Sequence, residues 1–127
     1  MKTTQMLADN ANVHGGFTYS PWSGLLARTG YAVACYPGHE VRHCRAMLTP
    51  DDIAGFYDAW CLDCEDPFID GPNNPENHIG AWQDGDTWYL DVSRVVPDLE
   101  TALQLAREHH QLAVYDLAEG RTIPVTP

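Results

Sequence analysis

The stretch Ile79–Val92, IGAWQDGDTWYLDV, decides the fold. Two alternating runs of strand-type residues flank Asp84-Gly85, a dipeptide suited to the positive φ angles of a tight type I′ turn. A two-residue loop at this point opposes Gln83 to Asp86, Ala81 to Trp88 and Ile79 to Leu90. Strand alternation then assigns Ile79, Ala81, Trp88, Leu90 and Val92 to one face, and Gly80, Trp82, Thr87, Tyr89 and Asp91 to the other.

A helical pattern lies on each side of this hairpin. Upstream, Thr49 is a good N-cap, Pro50 suits the first helical position, and Asp51 and Asp52 favour the positive end of the helix dipole. Ile53, Phe56, Tyr57, Trp60, Cys61 and Cys64 follow as an apolar stripe, and Pro67 stops the helix. Downstream, Asp98 caps a second helix with Leu99, Ala102, Leu103 and Ala106 inward, ending at His109-His110-Gln111. Tyr31–Tyr36 and Leu112–Leu117 read as further strands, and Arg121–Val125 as a short edge strand that tolerates Pro124. Phe17–Ser20 reads as a strand pairing with Tyr31–Tyr36 in an N-terminal hairpin, across a loop holding Trp22, Leu25 and Leu26. Residues 1–16, polar and closed by Gly15-Gly16, read as an N-terminal arm, leaving 17–127 as a single α+β domain.

From residue 31 the order is β-α-β-β-α-β, that of a ferredoxin-like split βαβ unit. The expected fold is therefore α+β, an antiparallel sheet with both helices on one face. The opposite face would display Trp82, Tyr89 and Asp91 unless the N-terminal hairpin covers it.

Composition narrows the function classes. The chain of 127 residues carries a net charge of -11. Between Arg45 and Arg94 there is no Lys or Arg, while eleven acids fall in that window. Such a field repels nucleic acid and anionic membranes and attracts basic protein surfaces. No apolar run approaches the length of a membrane span, and the N-terminus lacks the apolar core of a secretory signal. The expectation is a cytoplasmic protein with reduced cysteines.

Four kinds of site compete. Cys61 and Cys64 have C-x2-C spacing, and with Cys44 and His43 they would complete a zinc tetrahedron. Against zinc, both helical cysteines fall on the apolar stripe, where an inert buried thiol sits. The loop acids Asp63, Asp66, Asp70 and Glu76, with Asn73, offer oxygen ligands for calcium but lack the EF-hand ladder. Cys35 or Cys44 with His39 or His43, or a histidine with Asp91, would give a catalytic pair, yet no recognised catalytic motif is present. The fourth reading is a surface that imitates nucleic acid, built from Asp58, Asp63, Glu65, Asp66, Asp70 and Glu76, with Trp82 and Tyr89 as aromatic contacts. The charge distribution favours this last reading: a non-enzymatic binding protein without a cofactor, its partner a basic host protein rather than nucleic acid or membrane. A small zinc protein or enzyme using the Cys/His cluster is the alternative.

Two groups of segments carry a resemblance. One is GGFTYSPWSG (Gly15–Gly24), TGYAV (Thr29–Val33) and His39-Glu40. The other is IGAWQDGDTWYLDVSRVV (Ile79–Val96) and ALQLAREHHQLAVYDL (Ala102–Leu117). Together they resemble small uncharacterised proteins encoded by actinobacterial phages and plasmids. The resemblance covers about half of the chain and rests on strand, turn and core residues. It implies a mobile-element origin and transfers no catalytic residue.

Overall fold

The computed structural model describes residues 2–126. In chain order its elements are α1 (Lys2–His14), β1 (Gly16–Ser20), β2 (Leu25–Leu26), β3 (Tyr31–Val33), β4 (Val41–Cys44), α2 (Pro50–Asp63), β5 (Asn77–Asp84), β6 (Thr87–Val96), α3 (Leu99–Glu108), β7 (Ala113–Asp116) and β8 (Arg121–Pro124). A short 3₁₀ turn, Pro37–His39, lies between β3 and β4.

The β5–β6 hairpin is the spine. β5 pairs along its full length with β6, from Asp84↔Thr87 to Asn77↔Arg94. The other edge of β6 is shared: β4 takes Thr87–Leu90 and β3 takes Arg94–Val96. All pairings are antiparallel, in the order β2-β1-β5-β6-β3-β7-β8, with β4 beside β6. The loop is Gly85-Asp86, one residue later than the sequence suggests. Gly85 has φ +59 and Asp86 has no positive φ, the pattern of a type II′ rather than a type I′ turn. Ala81 therefore opposes Leu90, and Ile79 opposes Val92. Each opposed position moves by two residues, so every side chain keeps its expected face.

That face carries the core. Ile79, Ala81, Trp88, Leu90 and Val92 are buried against Ile53, Phe56 and Trp60 of α2 and Leu7, Ala8 and Ala11 of α1. Val96, two pleats further along β6, joins Val33 and Val114 under Ala102, Leu105 and Ala106 of α3. All three helices therefore pack on one face of the sheet, and of their residues only Asn10 and His14, at the end of α1, touch the concavity on the other face. α2 begins as its sequence dictates, with a capping box: the Thr49 side chain accepts from Asp52 N at 3.2 Å, and Asp52 accepts from Thr49 N at 2.9 Å. Asp98 caps α3 by accepting from Thr101 N at 3.0 Å.

The sheet cannot be flat. The path from Leu26 to Tyr31 spans at most about 18 Å. In a flat sheet those residues, four strands apart and offset along β6 as Val92 is from Val96, would be about 23 Å apart. Coiling shortens that distance. Ala27 and Arg28 of this connecting segment line the helix-free face, which is the concave one.

Three expectations need correction. Residues 2–14 are a helix, not a loose arm. Leu7, Ala8 and Ala11 are buried, and the Asn12 carboxamide clamps the backbone of Leu48, donating to its carbonyl at 2.8 Å and accepting from its N–H at 2.9 Å. The N-terminal hairpin joins β1 to β2, and β1 pairs on its other side with β5 rather than with Tyr31–Tyr36. The strand expected over Tyr31–Tyr36 ends at Val33, since Pro37 leads the chain into the 3₁₀ turn, and β4 resumes pairing with β6 beyond it.

If α1 is docked as described, Leu7→Ala should cost about 2–5 kcal/mol and Asn12→Ala about 1–3 kcal/mol in urea unfolding. Val13→Ala, on the exposed side of the same helix, should stay within about 0.5 kcal/mol. Equal, small effects at all three positions would mean that α1 is not part of the fold.

Candidate functional site

Strand alternation on the helix-free face brings together residues far apart in sequence. Arg42, Tyr89, Trp82 and Gly16 occupy one cross-strand row on β4, β6, β5 and β1. Trp82 and Tyr89 stack with ring centroids 4.1 Å apart and planes within 9°. The Arg42 guanidinium lies 5.2 Å from the Tyr89 ring centre, a cation–π contact. Gly16 contributes no side chain beside Trp82, which is 44% exposed, whereas Trp88 on the opposite face is 1% exposed.

The next row is Asp91, Gly80 and Thr18. The Asp91 carboxylate lies across Gly80, where a Cβ would collide with Oδ1. Oδ2 accepts from the Trp82 indole N–H at 3.3 Å, and Oδ1 accepts from Ser93 Oγ at 3.3 Å. No Lys, Arg or His pairs with Asp91 among the described residues. Burial pushes its carboxyl up; the two hydrogen bonds pull down and the charge of Glu40 adds a further push upward, with a net result of about 6. These groups sit in an open concavity of about 910 Å³, lined also by Ala32, Ala34, Glu40, Arg28 and Tyr115. The floor is built largely from small residues, so the sheet face itself is accessible.

The acids singled out in the sequence lie elsewhere. Asp58 and Asp63 are exposed on α2, and Glu65 is exposed just beyond it. Asp66 and Asp70 shape the following loop: Asp66 accepts from Phe68 N, and Asp70 accepts from the backbone N–H groups of Glu65 and Asp66 at 3.1 and 2.9 Å. Burial raises the Asp70 carboxyl, but these N–H donors and His39 outweigh it and hold the group below its ordinary value. Glu76 pairs with Arg94. Trp82 and Tyr89 lie on the sheet face opposite α2, so the eight residues read together in the sequence form two separate surfaces.

Among the described residues no three His, Cys, Asp or Glu side chains gather as a metal site. Adjacent positions on β4 send His43 and Cys44 to opposite sheet faces; His43 lies 3.6 Å from Asp52, and Cys44 is exposed. Cys61, expected on the buried stripe, is exposed, while Cys64 is half-buried with its thiol pushed up chiefly by burial. Cys35 is buried and its thiol is pushed up to about 11, chiefly by burial. Buried His78 places its Nδ1 2.7 Å from the Glu76 carbonyl, which accepts, and burial lowers its pKa.

Sequence reasoning placed Asp91 with Trp82 and Tyr89 on the open face but did not find Thr18, Ala32, Ala34 and Arg28 there. Thr18 and Ala32 have as local signal only their alternating positions on β1 and β3, and Arg28 and Ala34 lie outside any strand. Comparison with protein-family models, with curated proteins and with solved structures finds no match for the chain.

Two outcomes follow. The folded Asp91 carboxyl titrates above its unfolded value, so its ionisation costs stability fully above pH about 6 and not at all below pH about 4. Asp91→Asn should therefore stabilise the protein by roughly 1–2 kcal/mol at pH 7.5, with the gain vanishing towards pH 4 in thermal melts. A gain that is independent of pH would contradict the burial of this carboxylate. In the native protein a thiol reagent should modify Cys44 and Cys61 rapidly, Cys64 more slowly, and Cys35 only on unfolding. Mass mapping of the labelled cysteines reads this order directly.

Proposed function

We propose that this is a non-enzymatic binding protein that seats its acidic segment on the basic, nucleic-acid-binding surface of a protein partner. The observation that carries the reading is the character of the surface around the end of α2. Leu62, Phe68 and Ile69 are 84%, 71% and 63% exposed, within a few residues of exposed Asp58, Asp63 and Glu65. Acidity alone serves solubility; large apolar side chains left in water within an acidic segment support contact with another protein. The carboxylates would replace phosphates opposite Lys and Arg, and the apolar side chains would supply burial that nucleic acid does not.

The partner is a host protein if the chain belongs to a mobile element, which its resemblance to phage and plasmid proteins supports. The ferredoxin-like reading of the middle of the chain, supported by the run β5-β6-β3-β7, concerns scaffold only, because that arrangement serves many functions. Asp66, Asp70 and Glu76 take a lesser part in this reading, since their carboxylates are occupied within the fold.

The test is capture from an actinobacterial lysate by the immobilised protein. The captured species should be a basic nucleic-acid-binding protein, displaced by competing DNA and by salt between about 50 and 300 mM, as the Debye length falls from roughly 14 to 6 Å. Asp58→Asn, Asp63→Asn and Glu65→Gln combined should weaken capture at least tenfold. The matched change at Asp9, Glu100 and Glu119 should leave it within about twofold. Capture indifferent to salt, to DNA and to the triple variant would refute the reading.

A further inference from the structure

A carboxylate held in a concavity, with no ion-pair partner among the described residues, has two routes to relief: it takes up a proton, or a ligand brings a positive charge. Asp91 is in that position. Its two intramolecular hydrogen bonds are both 3.3 Å long and use one acceptor direction on each oxygen. A carboxylate offers about four such directions. The donors it has, an indole N–H and a hydroxyl, are neutral, and nothing among the described residues neutralises it. Of the cations on this face, Arg42 is engaged with Glu40 at 3.3 Å and with the Tyr89 ring, and Arg28 lines the cavity without pairing with the carboxylate.

The surroundings select the kind of charge. A strongly hydrated metal ion needs several oxygen or nitrogen ligands, and no such cluster exists among the described residues. An organic ammonium needs one carboxylate and one aromatic surface. Trp82 supplies that surface. One ring face is occupied by Tyr89, and the neighbouring row position on β1 is Gly16, so the indole stays partly uncovered. The small residues Gly80, Thr18, Ala32 and Ala34 leave a volume of about 910 Å³, ample for a small organic molecule.

We propose that the concave, helix-free face of the sheet is a binding site for a small organic amine, its ammonium paired with Asp91 and its apolar body lying against Trp82. This site lies on a different face from the acidic end of α2 and does not depend on that surface having a protein partner. Asp91 is the charge anchor, Trp82 the cation–π and packing surface, and Gly80 the position whose missing side chain lets the carboxylate lie flat. Glu40 adds negative potential at the same wall.

The experiment titrates the ¹⁵N-labelled full chain at pH 7.5 with phenethylamine, with phenethyl alcohol as its neutral counterpart and phenylacetate as an anion, following the indole N–H of Trp82. Phenethylamine should shift this signal saturably, with the other indole signals nearly still. The alcohol should bind at least tenfold more weakly, and phenylacetate should give no saturable shift. Asp91→Asn should weaken the amine at least tenfold, and Trp82→Leu several-fold, each with near-ultraviolet circular dichroism showing the fold retained. Affinity should fall as pH drops from 7.5 to 5, because the proton competes with the amine. Arg28 and His14 also line the groove, so the control is the same titration on the Asp91→Asn protein. The pH dependence lost in Asp91→Asn isolates the part due to Asp91. Alcohol and amine binding alike, undiminished binding to Asp91→Asn, or no Trp82 shift up to high millimolar amine would each overturn the proposal.

Discussion

The double-sided pairing of β6 is the constraint on which the structure depends. Thr87–Arg94 pair with β5 on one edge, and Thr87–Leu90 and Arg94–Val96 pair with β4 and β3 on the other. A strand held on both edges cannot slide by one residue without exposing Trp88, Leu90 and Val92 and burying Tyr89 and Asp91. Fixing β6 therefore fixes which face receives the helices. α2 and α1 pack over its first half and α3 over its end. The break between β3 and β4, opposite Asp91–Ser93, is where the second edge of β6 is left without a ladder partner.

Much of this was legible locally because local chemistry decided it. Thr49-Pro50-Asp51-Asp52 encodes a helix start whatever lies around it, and the alternation of Ile79–Val92 specifies two faces whichever residues form the turn. The turn itself moved because Asp84-Gly85 and Gly85-Asp86 both satisfy a two-residue loop; Gly85 takes the first central position, and the longer ladder adds the Asp84↔Thr87 pair. The failures concern partners. Helix α1 buries Leu7, Ala8 and Ala11, two of them alanines among Thr, Asn and Asp, a stripe too thin to mark an apolar face. What makes α1 a fixed element is Asn12 gripping Leu48, thirty-six residues away. Likewise, nothing near Phe17–Ser20 says that β1 joins β5 instead of β3.

The candidate sites divide in the same way. Acidity and C-x2-C spacing are visible along the chain, but alternation on β4 and the outward turn of Cys61 decide that the cysteines and histidines do not converge. The concave face is built from Thr18, Ala32, Gly80, Trp82 and Asp91, which meet only through the sheet's strand order. The two surfaces have different chemistry. The end of α2 carries exposed acids beside exposed Leu62, Phe68 and Ile69. The open sheet face is concave, with a carboxylate lying beside an indole.

The central claim is that one sheet face is sealed by helices while the other is open. The four tryptophans report on it directly. A soluble paramagnetic gadolinium chelate should broaden the indole N–H signals of Trp22 and Trp82 and leave those of Trp60 and Trp88 sharp, since the first two are exposed and the last two are buried. Equal protection of Trp82 and Trp88 would show that the second face is covered as well, and would contradict the account.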